Sequence, residues 1–81
     1  MFQLYIESIM IYTKILVDLR EEHDWTQTEV ANQLCVSQRA YSHYENGDRQ
    51  IPIDVLIKVA KLYNVSVDYI LGLTSNREII R

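Results

Sequence analysis

The sequence predicts an all-α fold, a compact five-helix bundle, and three observations carry that prediction. Only two glycines and one proline interrupt 81 residues. Apolar residues recur three and four apart in successive stretches, while alternating strand patterns are nearly absent. Three of the stretches open on a Thr or Ser placed to cap a helix: Thr26, Ser37 and Ser66.

Taken in order, the first predicted helix covers about residues 11–22, with Tyr12, Leu16 and Leu19 inward at i, i+4 and i+7. His23-Asp24-Trp25 connects it to the next, and Trp25 suits the edge of the core, where an indole buries apolar surface and keeps its N–H near water. The second helix covers about 26–35. Thr26 and Glu29 have capping-box spacing, and Val30, Ala31 and Leu34 form its buried face. Cys35-Val36 makes a tight turn. The third helix covers about 37–45, with Ala40, Tyr41 and Tyr44 inward, and Asn46-Gly47 ends it in the left-handed conformation those residues tolerate.

Residues 48–51 read as a loop. Pro52 suits the first turn of a fourth helix over about 52–63, which is expected to bury Ile53, Leu56, Val59 and Ala60. A short fifth helix over about 67–71 is capped by Ser66 and stopped by Gly72. The organisation expected is an extension over 1–10, a helical domain over 11–73 and a tail over 74–81.

Composition narrows the function classes. Apolar residues make up 48% of the chain, enough for a core and too many for a disordered segment. A single cysteine cannot form an intramolecular disulfide, and no Cys/His cluster has zinc spacing, so neither a metal nor a cofactor is expected. The apolar start is broken by Glu7, Lys14 and Asp18 before it reaches a membrane span, and it lacks the basic beginning of a signal peptide. A cytoplasmic protein is expected. No Ser/His/Asp, Cys/His or paired-carboxylate arrangement suggests an enzyme. The formal charge of -3 argues against nonspecific polycation binding to nucleic acid, which depends on many phosphate contacts.

The segment Thr26 to Gly47 is the most informative. Once its apolar faces are buried, the third helix keeps Gln38, Arg39, Ser42 and His43 on its outer side. Two short helices joined by a tight turn, the second polar outward, are how a helix-turn-helix presents side chains to the major groove of DNA.

Four motifs then fall at matching separations: LREEHDWTQTEVA, VSQRAYSHYENG, LIKVAKLYNVS and VDYILG. With them the chain from about Ile11 to Leu73 resembles the Xre/Cro/cI-type helix-turn-helix regulators, which include lambdoid phage repressors. The resemblance implies a bundle of the lambda-repressor type and residue roles to match. Gln38, Arg39, Ser42 and His43 would face base edges. Thr26, Gln27, Ser37, Asn46, Gly47 and Arg49 would lie along phosphates. Arg20 and Glu45 would form an ion pair joining helix 1 to helix 3. Bidentate Arg to guanine and Gln to adenine are the natural pairings for Arg39 and Gln38.

Two departures from the family pattern carry consequences. Cys35 stands where a glycine is usual, and a positive φ there costs about 1 kcal/mol. The loop after helix 3 carries Asp48 and only Arg49, which weakens attraction to the phosphate backbone. Cys35 is otherwise expected to be a half-buried structural thiol.

The function expected is that of a sequence-specific, double-stranded DNA-binding transcriptional repressor. One recognition helix reads too few base pairs for specificity in a genome, so a homodimer on a pseudo-palindromic operator is expected. Its surface would be helix 5 with the tail (Val67, Ile70, Leu71, Ile79, Ile80) or the apolar extension. Residues 1–9 are equally well read as an upstream start, with Met10 the initiator. The competing class is an antitoxin-type or adaptor protein whose main role is to bind a protein partner.

Overall fold

A computed structural model describes residues 2–79, with side chains described from Ile9 onward. It contains five helices: α1 (Phe2–Glu22), α2 (Gln27–Leu34), α3 (Gln38–Asn46), α4 (Ile53–Tyr63) and α5 (Val67–Ile70). No strand occurs among the described residues.

Helix α1 is about nine residues longer at its start than helical spacing predicts. No glycine or proline falls within residues 2–10 to stop it, and the Thr13 hydroxyl donates back to the Ile9 carbonyl at 2.9 Å. Tyr12, Leu16 and Leu19 are its buried positions, as expected. They meet Val30, Ala31 and Leu34 of α2, Tyr41 and Tyr44 of α3, and Val55, Leu56, Val59, Ala60 and Tyr63 of α4 in one core. Ile70 of α5 closes it. Trp25 packs at the core edge, its ring 5.8 Å from that of Tyr63 and 4.6 Å from that of His23.

Three expectations about burial are corrected. Ile53 is 75% exposed rather than buried. Pro52 occupies the N-cap of α4 instead of its first turn, and the turn that follows points Ile53 and Ile57 outward while Val55, Leu56 and Val59 face in. Ile70, assigned to a dimer surface, is fully buried, so it offers nothing to a partner. Cys35 is exposed rather than half-buried, because it sits past the end of α2 on the left-handed cap. The extension's side chains before Ile9, and Ile80, lie outside the described residues.

The tail folds back on the bundle. The Ser66 N–H donates to the Arg77 carbonyl at 2.8 Å. Arg77 grips Glu22 at the end of α1 through both terminal nitrogens, at 2.9 and 2.7 Å, and its guanidinium lies 5.0 Å from the centre of the Tyr69 ring. Gly72, at φ +78°, passes so close to Ile11 that a Cβ there would collide with its Cγ2 methyl.

Candidate nucleic-acid interface

Local chemistry fixes both ends of α2 and α3. The Thr26 hydroxyl accepts from the Glu29 N–H at 3.1 Å, while the Glu29 carboxylate accepts from the Thr26 N–H at 3.3 Å, completing the capping box. Cys35 takes φ 58°, ψ 40°, the left-handed conformation that turns the chain at once from α2 to α3. Ser37 caps α3 by accepting from the Ala40 N–H at 3.0 Å. Gly47, at φ 80°, ends it, and the Ile9 and Thr13 methyls pack where a Cβ would stand.

The orientation of α3 is set from beneath. Arg20 of α1 donates to both oxygens of Glu45, at 2.8 and 2.9 Å, and with its third contact holds the Trp25 carbonyl at 3.0 Å. The Glu45 side chain is 3% exposed, so this pair is buried on the carboxylate side. Burial alone would push the Glu45 carboxyl up. Hydrogen bonds from Arg20 and Gln27 outweigh it and hold the group below the usual carboxylate range. The expected partners Arg20 and Glu45 are thus brought together.

The chain of contacts continues outward. Gln27 Nε2 donates to Glu45 Oε1 at 3.2 Å, and Gln27 Oε1 accepts from Gln38 Nε2 at 3.0 Å. A surface glutamine at the start of α3 is therefore tied, through one at the start of α2, to the buried ion pair. Sequence reading placed both glutamines at the interface without linking them. The signal available was that each occupies the first turn of its helix, where two abutting helices bring such residues together.

Gln38 and Arg39 are exposed, and Ser42 and His43 are half-buried on the same helix. The side chains of Arg39 and Arg49 make no hydrogen bond or ion pair among the described residues, which leaves both guanidiniums available. The Asn46 side-chain amide donates to the Ser42 hydroxyl at 3.5 Å. His43 Nδ1 lies 3.4 Å from Asp48 Oδ2, a partner that reading along the sequence did not assign. Asp48 thus faces His43 across the turn at Gly47. Of the residues placed along phosphates, Thr26 and Ser37 spend their hydroxyls on the caps, and Gln27 spends its amide on Glu45 and Gln38. Asn46 and Arg49 are exposed, beside the half-buried Gly47. No group of His, Cys, Asp and Glu able to hold a metal occurs among the described residues.

A helix-turn-helix family model matches residues 16–70, which spans every element just described from the inner part of α1 to α5. The chain belongs to the helix-turn-helix family. This helix-turn-helix chain is 39% identical over 66 residues to the uncharacterized HTH-type transcriptional regulator YobD of Bacillus subtilis, covering 82% of this chain and 59% of that one. It is 41% identical over 59 residues to the HTH-type transcriptional regulator ImmR of the same organism, covering 73% and 46%. The cryptic phage CTXphi transcriptional repressor RstR of Vibrio cholerae shares 35% over 57 residues, covering 70% and 51%. Among solved structures, a transcriptional regulator from Listeria innocua superposes with a TM-score of 0.73 at 26% identity, over 86% of this chain and 64% of that one. The chain thus spans about half the length of the curated relatives it matches.

Proposed function

We propose that this helix-turn-helix chain binds double-stranded DNA in a sequence-specific manner and regulates transcription, as a repressor, from the cytoplasm. The observation that carries the reading is the outer face of α3. There Gln38, Arg39, Ser42 and His43 stand toward solvent on a helix whose angle is set by Arg20, Glu45 and Gln27 beneath it. Relatives named as transcriptional regulators support it.

On this reading Arg39 donates to a guanine edge, and Gln38 pairs with adenine while Gln27 limits its rotamers. His43, held at Nδ1 by Asp48, offers Nε2 to a third base or a phosphate, and Ser42 contributes a hydroxyl beside it. Arg49, Asn46 and the Gly47 turn lie along one phosphate strand. Gln27, Thr26 and the first turn of α2 take the other, where the positive helix end favours an anion. Ser37 does the same at the start of α3. Two copies on a pseudo-palindrome place two such helices in successive major grooves, roughly 34 Å apart. No helix of the described residues is long and apolar enough to cross a membrane.

The test is selection from a random duplex library at near-physiological salt, followed by sequencing. Enrichment of a two-fold-symmetric motif is the expected result. Binding that appears only at low salt, with no motif, overturns the reading in favour of an antitoxin-type or adaptor role.

A further inference from the structure

The exposed apolar surface of α4 has no use in the fold. Ile53 and Ile57 are 75% and 45% exposed and stand one turn apart on the same side of the helix. Lys61 continues that stripe by one more turn, and Asp54 flanks its beginning. Neither the Asp54 nor the Lys61 side chain makes an ion pair or hydrogen bond among the described residues, whereas the Lys58 ammonium on the neighbouring row is spent on the Leu34 carbonyl at 3.2 Å. A groove of about 400 Å³ runs alongside, with Ile57, Ala60 and Lys61 on one wall and Glu78 and Ile79 of the tail on the other.

This pattern is complementary to itself when reversed. A two-fold axis beside Ile57 sets Ile57 against its own copy. Moving one turn either way, Ile53 meets the stem of the opposing Lys61, whose ammonium then reaches the opposing Asp54. Each apolar contact lies inside a pair of opposite charges, and the arrangement occurs twice because the interface is isologous. Ile79, at the mouth of the groove, extends the apolar patch toward the same partner.

We propose that the Ile53–Ile57 face of α4 is where a second copy of this chain packs, helix against antiparallel helix, with Asp54 of each copy paired to Lys61 of the other. The proposal gives a surface to the homodimer of the DNA-binding reading and rests on that reading for its biological use. The other exposed apolar residues, Met10, Ile11 and Leu73, carry no such reversible charge pattern, since the nearby Lys14 is already paired with Asp18.

Sedimentation equilibrium on the whole chain without DNA tests it. Asp54→Lys and Lys61→Glu each place like charges across the axis twice and should each weaken self-association at least about tenfold. Mixing the two variants restores both opposite pairs in a heterodimer, so the mixture should associate about as tightly as the wild type. Ile53→Ser with Ile57→Ser changes only exposed positions, so the helical circular dichroism should persist while the dimer is lost. A wild-type chain that is monomeric throughout, a serine variant that dimerises unchanged, or single charge variants that the mixture fails to rescue would each overturn the proposal. Because no DNA is present, failure to select a motif leaves this readout intact. A symmetric motif bound equally by the serine variant would overturn the surface and leave DNA reading standing.

Discussion

Arg20 and Glu45, twenty-five positions apart in sequence, meet through two parallel hydrogen bonds of 2.8 and 2.9 Å. They join the inner end of α1 to the last turn of α3 and thereby fix the angle at which α3 faces solvent. Desolvating two charges offsets much of their attraction, so the pair specifies orientation more than it adds net stability.

Removing one partner is another matter, because the survivor is left charged and buried. Arg20→Ala should lower the unfolding free energy by about 3 kcal/mol, and urea denaturation measures it. An apolar pair, Arg20→Met with Glu45→Leu, should lose much less than the single change. Equal losses for the two variants would contradict the account of a desolvated pair.

Acid should act through the same contact. The folded Glu45 carboxyl is held below its unfolded value, so the stability it contributes is fully present above the unfolded pKa. That contribution is lost as pH falls below the ordinary carboxylate range toward the folded value. Thermal midpoints measured from neutral to strongly acid pH should decline there, and Glu45→Gln should start lower with a shallower acid decline. Glu22 is also held low, by Arg77, but its exposure to solvent makes it a minor contributor.

Cys35 offers a gain instead. It is exposed and sits at φ 58°, a conformation that costs any residue with a Cβ. Cys35→Gly should raise stability by about 0.5–1 kcal/mol, the relief of strain exceeding the added freedom of the unfolded chain. Chemical denaturation decides it, and a loss of stability would mean that the thiol makes a contact worth more than the strain.

What was legible in the sequence was local. Thr26, Ser37, Ser66 and Gly47 cap or end helices through contacts within four residues, and the apolar spacing of Tyr12, Leu16 and Leu19 names the buried face of α1. The Ile53 expectation failed because Ile53 shares a side of α4 with Ile57, about a quarter turn away from the Val55, Leu56, Val59 and Tyr63 face that packs inward. The Arg77 grip on Glu22 spans 55 positions, a separation over which no spacing rule acts. The site was legible as a set of residue types on one helix face. Its wiring was not, since the Gln27–Gln38 and His43–Asp48 contacts depend on how two helices and a turn abut.

If the outer face of α3 reads bases, Arg39 is the side chain whose removal shows it. Fluorescence anisotropy on the selected duplex and on a scrambled duplex, for wild type and Arg39→Ala, makes the comparison. Arg39→Ala should lose about 1–3 kcal/mol of binding on the selected site and change little on the scrambled one. Equal affinity of variant and wild type for the selected site would contradict it.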